Sequence, residues 1–397
     1  MTLETVKPVI MECVSCGLCR ANCPMLEDVK LESATARGKL IICYSLLTGN
    51  LQLSAKVAER LFQCTACKAC TEVCFSMLDI PKVVEAARSV LVEKGLVPKT
   101  IRDMLISTMK YGNPWSQPKE RRTNWLKDLE KLNLKILSDK EKTETIYFVG
   151  CTPSYDHRCQ EIAKSIVKVL SKVGVDFNIL GNEELCCGDS ALRVGEKGLF
   201  DMLAEKNLEN FKRHHAERIV TTSPHCYNTF KNEYPVENAE IEIQHYTQFL
   251  ADLIDKEKIK FSKRLNKMVT YHDPCFLGRY NGVYEEPRKI LESIPGLTLI
   301  EMDRAKKNSF CCGGGGGRMW MEETSDTRPS LNRAREAVEL KPDIIVTACP
   351  FCLINMQDAV KVINKEKEVQ VMDIAELVKK AVYDENKRVK TRFQPSE

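Results

Sequence analysis

Nineteen of the 397 residues are cysteines, and most of them stand in small groups. Two stretches, CCGDSALRVG from Cys186 and CCGGGGGRMW from Cys311, each begin with a doubled cysteine. The odd count, the lack of a recognisable export signal and the metal-ligand spacings argue against a disulfide framework. The groups therefore predict thiolate ligation of iron–sulfur clusters. Cys43 and Cys159 stand alone, and we expect them to be small buried hydrophobes.

Two stretches near the N-terminus, CVSCGLCRANCP and CTACKACTEVCF, repeat one cysteine spacing. This is the spacing of two-cluster ferredoxins, in which three close thiolates hold one cubane and the fourth cysteine ligates the other. Zinc sites use different spacings. Phe75 replaces the usual proline and removes no ligand. The predicted sets are Cys13, Cys16, Cys19 and Cys74 for one [4Fe–4S] cluster, and Cys64, Cys67, Cys70 and Cys23 for the other.

The C-terminal half contains an internal repeat of its cysteines. Three pairs of cysteines are separated by 124, 125 and 126 residues: Cys151 and Cys275, Cys187 and Cys312, and Cys226 and Cys352. Nearly constant separations predict two homologous lobes. Short β-rich runs alternate with amphipathic helices throughout this half, which indicates βαβ units around parallel sheets. Ligands of such sheets lie at the carboxyl ends of the strands, so the cysteines of one lobe should converge there.

The second lobe carries five predicted ligands, one more than a cubane can use. They are Cys275, Cys311, Cys312, Cys349 and Cys352. Adjacent thiolates can bridge two irons that a cubane would keep apart. Gly313 and Gly314 begin a run of five glycines that allows close backbone approach, and we expect their N–H groups to point at cluster sulfur. A phosphate loop is disfavoured, because no Lys-Ser/Thr follows the glycines.

The first lobe keeps four of these cysteines: Cys151, Cys186, Cys187 and Cys226. When TTSPHC is aligned with TACPFC, Ser223 falls opposite Cys349, and a hydroxyl is a poor soft-metal ligand. Between the doubled cysteine and this position lie 35 residues in the first lobe and 36 in the second, so the spacing is kept. Four thiolates are enough for a further cluster. The alternative is an empty lobe retained for structure.

We expect an α+β multidomain chain in which a helical, ferredoxin-like domain precedes two repeated α/β lobes with parallel sheets. The lysine-, arginine- and glutamate-rich segment between them predicts a solvated helical linker. The expected boundaries are a two-cluster domain at 1–95, a linker at 96–143, the first lobe at 144–265, the second lobe at 266–385 and a polar tail at 386–397.

Composition limits the partners and the location. A net charge of +4 gives no general reason to expect nucleic acid. No apolar run approaches the length of a bilayer span, and the N-terminus lacks the pattern of a signal peptide. We therefore expect a cytoplasmic chain, peripheral to a membrane only through partners. Because no GxGxxG motif is present, we expect any flavin to sit on a partner.

The stretches YHDPCFLGRYNGVYEEPRK, CCGGGGGRMWMEE and ACPFC resemble the CCG domain of the B and D subunits of heterodisulfide reductases. They also resemble iron–sulfur subunits of glycolate, lactate and anaerobic glycerol-3-phosphate dehydrogenases, and most closely the branch serving electron-transfer-flavoprotein:quinone oxidoreduction. A ferredoxin half followed by two CCG lobes resembles the arrangement of the D subunit over nearly the whole chain. The resemblance implies a noncubane [4Fe–4S] cluster on the second lobe that can cleave a disulfide in one-electron steps.

Three functions follow from the residues and the resemblance together. The first is an electron-transferring, heterodisulfide-reductase-like subunit that is active within a complex. The second is a relay from a flavoprotein to a quinone or another acceptor, which would need a membrane-bound partner. The third is a non-catalytic cluster scaffold. His225 and His272 could support neighbouring ligands or simply pack, while Arg279 and Arg318 could face an anionic substrate or offset cluster charge.

Overall fold

The N-terminal part consists of short helices joined by cysteine-rich loops, as predicted. A computed structural model of the chain describes residues 2–132, 134–138, 141–235, 241–322 and 326–383. The tail predicted at 386–397 lies outside these residues. The helices are α1 (Lys7–Met11), α2 (Leu18–Ala21), α3 (Pro24–Val29), α4 (Ala36–Leu47), α5 (Ala55–Phe62), α6 (Ala69–Glu72) and α7 (Ile80–Glu93), with 3₁₀ turns at Glu4–Val6 and Glu32–Ala34.

Side-chain caps and apolar faces fix these helices. Thr35, Ser54 and Asp79 accept backbone N–H groups at the starts of α4, α5 and α7, which satisfies donors that a helix start leaves free. Leu61 and Val83 are fully buried in the shared core of this part. Cys-rich loops are therefore held between capped, packed helices.

The charged segment 96–143 is less solvated than its composition predicts. It forms α8 (Lys99–Tyr111) and a 3₁₀ helix at Lys119–Leu132. Trp125 and Leu129 are buried in the core of the lobes, and Arg122 is buried as well. The expectation of a solvated face is wrong for these three residues, because apolar side chains alternate with the charged ones and pack on the first lobe.

The first lobe is a three-stranded parallel sheet with helices on its faces. The strand order is β1-β2-β3, with Thr145 opposite Arg218 and Arg218 opposite Glu242. The elements are β1 (Thr145–Phe148), α9 (Cys151–Tyr155), α10 (His157–Lys172), a 3₁₀ turn (Gly181–Glu183), α11 (Asp189–Arg193), α12 (Lys197–Arg213), β2 (Arg218–Thr221), α13 (Pro224–Asn228), a π-helical turn (Thr229–Glu233), β3 (Glu242–His245) and α14 (Tyr246–Asp255).

The second lobe repeats this plan with one more strand. Its parallel sheet has the order β5-β4-β6-β7, with Val269 opposite Leu299 and Ile344, and Ile344 opposite Gln370. The elements are β4 (Lys267–Tyr271), α15 (Gly278–Asn281), α16 (Glu285–Ser293), β5 (Leu297–Leu299), 3₁₀ turns at Lys306–Asn308 and Arg318–Trp320, α17 (Pro329–Glu339), β6 (Ile344–Thr347), α18 (Pro350–Val362), β7 (Gln370–Asp373) and α19 (Ile374–Val382).

The segment VDFNIL at 175–180, which has the composition of a strand, forms only two isolated bridges. Asn178 pairs with Ile146, and Ile179 pairs with Ile136. Asn178 also uses its side chain, which donates to Thr143 Oγ1 at 2.8 Å. The segment therefore lies beside β1 without extending as a full strand.

The two lobes share one apolar core, and one arginine joins them to the helical part. Val220 and Ile345, from the central strands of the two sheets, are fully buried in the same core. Arg88 of α7 is fully buried and donates to carbonyl oxygens in three parts of the chain, which are those of Leu61 (2.7 Å), Cys64 (2.8 Å), Arg193 (2.7 Å) and Gly316 (2.9 Å). A guanidinium can satisfy all of these acceptors at once because its donors form a fixed planar fork.

Candidate metal centres

The cysteines of the first predicted ferredoxin-type set lie together. Burial and the charges of Cys13, Cys74 and Cys16 raise the pKa of Cys19 to about 11. Cys74 is distant in sequence and comes from the second motif. Cys16 is exposed, so this set reaches the surface of the protein.

The second set lies deeper, beside buried cations. Burial raises the pKa of Cys23 to about 11, Lys39 opposes this shift, and the charges of Cys67 and Cys64 add to it. The ammonium of Lys39 is fully enclosed and donates to the carbonyl of Ala34. Cys67 and Cys70 are buried. The structure thus places the fourth cysteine of each motif near cysteines of the other motif. Nothing in the sequence indicated that Lys39 would be a buried cation beside Cys23.

The five cysteines of the second lobe meet beyond the carboxyl ends of β4 and β6. Cys275 follows β4, and Cys349 starts α18 after β6. The sulfur atoms of Cys312 and Cys352 lie 3.3 Å apart. His272, which the sequence left open, offers a ring nitrogen within 4.8 Å of both sulfurs, while its Nδ1 lies 3.1 Å from Arg333 Nε. All five cysteines are buried.

Hydrogen bonding separates the proton affinities of these thiols. Contacts with Cys311 and Cys352 hold the pKa of Cys312 well below its usual range, and His272 adds to this effect. Burial raises the pKa of Cys349, but donors from Cys352 and His225 outweigh burial and lower it to about 6. The surroundings of Cys312 and Cys349 therefore favour the thiolate, the form that binds iron.

The four cysteines of the first lobe form a connected group around a small cavity. Burial and a hydrogen bond to Cys186 raise the pKa of Cys151, while a hydrogen bond links Cys187 with Cys226. All four line a cavity of about 30 Å³, together with Ser223, Asp189 and Phe351. The lobe therefore keeps the arrangement of a ligand set despite the change at Ser223.

A buried ion pair supports this group and was missed at the sequence level. Arg122 donates to Glu184 at 2.7 Å and lies 3.5 Å from Cys151 Sγ. Glu184 in turn accepts the backbone N–H groups of Val149 (2.9 Å) and Gly150 (2.8 Å). The pair fixes the loop from β1 to Cys151. Arg122 stood in a segment whose charges suggested exposure.

Ser223 occupies the position that the alignment assigned to it. It is the N-cap of α13 after β2, as Cys349 is the N-cap of α18 after β6. The Ser223 hydroxyl accepts the backbone N–H of His225 at 3.2 Å, whereas Cys349 makes no side-chain cap bond. The serine thus has a structural use that a cysteine lacks here.

The two lobes exchange side chains at their interface. His225 belongs to the first lobe, but its ring lies against Phe276 (centroids 4.1 Å apart) and Phe351 (4.9 Å) of the second. Its Nδ1 is 2.7 Å from Asp189 Oδ2. Burial lowers the pKa of His225, but Asp189 and the contact with Cys349 overcome this and raise it to about 10. The ring is thus held by Asp189 of its own lobe while it packs against aromatic rings of the other.

Cys67 lies at a second contact between parts of the protein, where the helical part meets the second lobe. A hydrogen bond with Cys311 and burial both raise the pKa of Cys67. Cys67, Cys275, Cys311 and Phe276 belong to one small buried cluster. Arg279 braces it by donating to the Cys67 carbonyl at 2.6 Å. Two predicted ligand sets therefore meet at this contact, which the sequence gave no way to foresee.

The arginines near the glycine run are braces between parts. Arg279 also donates to the Ser309 carbonyl at 2.7 Å, and its Nη2 is buried without a hydrogen-bond partner among the described residues. Arg318 forms a buried ion pair with Asp28 at 3.3 Å. These contacts give both arginines a structural use, and whether either faces an anionic substrate or offsets cluster charge stays a prediction.

The glycine run serves close packing more than sulfur contact. The Gly313 N–H donates to Cys311 Sγ at 3.3 Å, as expected. A Cβ at Gly314 would lie 2.9 Å from Asn355 Nδ2, and one at Gly316 would lie 2.2 Å from the Cys64 carbonyl oxygen. The last glycines therefore let the second ferredoxin-type loop pack directly on the second lobe.

These donor sets fit iron–sulfur clusters. All nineteen cysteines lie in the described ranges and are free thiols. Seventeen of them fall in the four groups above, and the other two, Cys43 and Cys159, are fully buried. Thiolate-only sets with buried cations nearby suit soft, negatively charged clusters. The unpartnered Arg279 Nη2 is a donor available to such a group.

Comparison with known proteins agrees with this architecture. Residues 10–78 match the 4Fe-4S dicluster domain, and residues 145–231 and 269–357 each match the cysteine-rich domain. The D subunit of the dihydromethanophenazine:CoB–CoM heterodisulfide reductase of Methanosarcina mazei is 33% identical over 94% of this chain and 94% of its own. The chain therefore belongs to the family of iron–sulfur oxidoreductase subunits that includes this heterodisulfide reductase D subunit.

Two further relatives are longer proteins. The probable iron-sulfur-binding oxidoreductase FadF of Bacillus subtilis is 38% identical over 82% of this chain and 47% of its own. EtfAB:quinone oxidoreductase of Syntrophomonas wolfei is 34% identical over 93% of this chain and 58% of its own. The chain thus spans about half the length of these two relatives.

A solved structure shares the fold at low identity. A hypothetical protein from Helicobacter pylori superposes with a TM-score of 0.51 at 10% identity, covering 89% of this chain and 68% of its own. Within the described residues, no helix is both long and apolar enough to cross a bilayer.

Proposed function

We propose that the chain passes electrons between two ferredoxin-type [4Fe–4S] clusters and a noncubane cluster on the second lobe, as part of an oxidoreductase complex. The observation that carries the proposal is the contact of Cys67 with Cys311, since each belongs to a different ligand set. The proposed ligands are the two ferredoxin-type sets and the five second-lobe cysteines defined above. The first lobe's four cysteines are proposed to hold a further cluster.

The order of the sets gives the proposed route. Cys16 of one set is exposed, Cys67 and Cys70 of the other are buried, and Cys67 clusters with Cys275 and Cys311 of the second lobe. Bound clusters would supply one-electron transfer, without proton or group movement. The chain itself would hold these cysteine sets close together and exclude water from them. Lys39, Arg88 and Arg279 do this as buried cations that offset thiolate charge.

Two candidate reactions could follow electron transfer to the second lobe. Likeness to the heterodisulfide reductase D subunit over nearly equal lengths supports a second lobe that acts on a disulfide. A relay between a flavoprotein and a quinone is the second candidate. The burial of all five second-lobe cysteines supports it, because a disulfide would need a path to them. The name of the Syntrophomonas wolfei relative also supports it.

The partners follow from the same reasoning. We propose a flavoprotein partner and, for quinone chemistry, a membrane-bound partner. A scaffold without catalysis remains the third candidate, and it predicts clusters that do not respond to any acceptor.

One experiment tests the main proposal and separates the candidates. The chain is loaded anaerobically, iron is counted, and the EPR spectrum of the reduced protein is recorded with and without a heterodisulfide. Cys311→Ser identifies the second-lobe signal, and Cys43→Ser is the matched control for a buried cysteine outside the sets. A second-lobe signal that changes with the disulfide supports disulfide chemistry, and one that does not supports the relay. A zinc-only protein would refute both.

A further inference from the structure

The two ferredoxin-type motifs have equivalent faces in opposite surroundings. When CVSCGLC of the first motif is aligned with CTACKAC of the second, Cys16 falls opposite Cys67 and Val14 falls opposite Thr65. Cys67 is buried and Thr65 is 2% exposed, whereas Cys16 is exposed and Val14 is 66% exposed. The described parts of the chain therefore cover this face in the second motif and leave it open in the first.

The covered face shows what such a surface binds in this protein. Arg279 of the second lobe donates to the Cys67 carbonyl at 2.6 Å, and the Tyr280 hydroxyl donates to the Ala66 carbonyl at 2.7 Å. Cys67 itself clusters with Cys311 of the second lobe's ligand set. The face of the second motif is thus docked on a part of the protein that carries another predicted metal centre.

The open face of the first motif is apolar and uncharged. Besides Cys16, it consists of the exposed side chains of Val14, Leu18, Phe75 and Met77. Each of these lies within three positions of a cysteine of the first set, and the Met77 N–H donates to the Cys74 carbonyl at 3.0 Å. Neither 13–19 nor 73–78 contains a charged residue. Exposed apolar groups of this kind mark interaction sites, in which aromatic and methionine side chains are enriched.

Phe75 has no packing role that would explain its size. It is 87% exposed at the position where ferredoxins carry a proline. Its counterpart in the first motif, Pro24, is buried at the start of α3. A phenyl ring offers a large, rigid contact area to a partner, so its exposure beside Cys74 fits a docking surface.

We propose that the open face docks the flavoprotein partner, with Cys16 as the ligand nearest to the flavin. This rests on the proposed function, because it assumes a cluster in the first set and a flavoprotein that exchanges electrons with it. The equivalent face of the second motif meets another predicted metal centre, which favours a redox partner. The lack of charge favours a partner with an apolar, uncharged surface, since interfaces match in potential. Each step moves one electron, so that one centre is oxidised as the other is reduced and no atom is transferred.

The test compares two electron donors for the loaded full chain. One is the reduced electron-transferring flavoprotein of the same organism, kept below saturation so that its rate follows the strength of docking. The other is reduced methyl viologen, which is small and needs no docking face. Stopped-flow absorbance gives the flavoprotein-to-viologen rate ratio in the parent, Phe75→Glu, Val14→Glu and Phe75→Ala. Met109→Glu, at an exposed apolar residue of α8, is the matched control, and iron is counted in every sample.

A glutamate on the open face would lose its water in the docked complex without gaining a partner. The rate ratio should therefore fall about thirtyfold in Phe75→Glu, the loss typical of a central contact residue. Val14→Glu, which alters the same face from the other motif, should fall in the same direction. Phe75→Ala should fall about fivefold, and it keeps the test open if a glutamate variant fails to hold iron. Met109→Glu should match the parent.

The outcomes separate this inference from the proposed function. If viologen reduces no cluster in the parent, the proposed function itself is wrong. If viologen reduces the parent and the flavoprotein does not, or if both Phe75 variants keep the parental ratio at full iron content, the docking face is refuted. Flotation with phosphatidylcholine vesicles and sedimentation velocity check the other occupants. Vesicle binding or dimerisation that depends on Phe75, with an unchanged ratio, would assign the face to a membrane or a second copy and overturn the proposal.

Discussion

Gly316 lies where the helical part packs on the second lobe, and replacing it with alanine should open that contact. Its φ is +64°, and a Cβ there would lie 2.2 Å from the Cys64 carbonyl oxygen and 2.9 Å from the Thr65 carbonyl carbon. Both neighbours are backbone atoms, so neither can rotate away. The loop that carries Cys64 and Cys67 must therefore move by about 1 Å to restore a normal carbon–oxygen contact.

The cost has two parts. A left-handed conformation costs a non-glycine residue about 1 kcal/mol. The displacement also strains the Arg88 fork, which donates to the carbonyls of Cys64 and Gly316 at 2.8 and 2.9 Å, and losing one such charged hydrogen bond costs about 2 kcal/mol. We expect local opening to become easier by about 3 kcal/mol, which raises the exchange of the protecting amides about a hundredfold.

Hydrogen exchange followed by mass spectrometry measures this directly on the loaded protein. Peptides spanning residues 60–75 and 311–320 should exchange faster in Gly316→Ala. Gly49 is the matched control, because its φ is +74° and an added Cβ meets nothing within 4 Å. Gly49→Ala should affect only its own loop. Equal exchange of residues 60–75 in the two variants would refute the claim that the glycine run exists for this docking.

Three further changes test other parts of the site. Cys226→Ser should lower the iron count from about 16 to about 12 per chain, at four irons per cluster, and a count of about 12 in both the parent and the variant would mean that the first lobe holds no iron. Arg122→Met leaves Glu184 as a buried unpaired charge and should destabilise the fold by about 3–5 kcal/mol; thermal unfolding should show most of the loss recovered when Glu184→Gln is added. After removal of metal, iodoacetamide should label exposed Cys16 before buried Cys70, whose pKa burial raises, and peptide mapping that found the reverse order would contradict the assigned burial.

The sequence predicted the cysteine groups and the repeated lobes because both leave regular spacings along the chain. The ferredoxin-type spacing assigned Cys74 to the set of Cys19, and the two lie near each other in the structure. The 124- to 126-residue period predicted two lobes with matching cysteine positions. The β-rich composition of VDFNIL did not produce a strand, since Asn178 and Ile179 form only isolated bridges, and the partly exposed β3 (Glu242–His245) lacked the apolar run that predicts a strand.

Contacts between the parts could not be predicted, because spacing along the chain carries no information about docking. Nothing near Cys67 pointed to Cys311, and nothing near Arg88 pointed to Gly316. Arg122 was misjudged because its charged neighbours favoured exposure, although Trp125 gave a sign that one face of the segment would be buried. The glycine run was ascribed to cluster sulfur, whereas its length reflects the backbone of Cys64 and Thr65 pressed against it.

The changes that distinguish the two lobes are physically connected. Ser223 gives up a thiolate, but its hydroxyl caps α13 through the His225 N–H at 3.2 Å, and this bond fixes the start of the helix that carries the His225 ring. Asp189 stands where the second lobe has Gly314, and it fixes the other side of the ring. A cysteine at 223 would remove the cap, and a glycine at 189 would remove the carboxylate. The serine at 223 and the aspartate at 189 thus act together, because both help to hold the His225 ring against Phe276 and Phe351 of the second lobe.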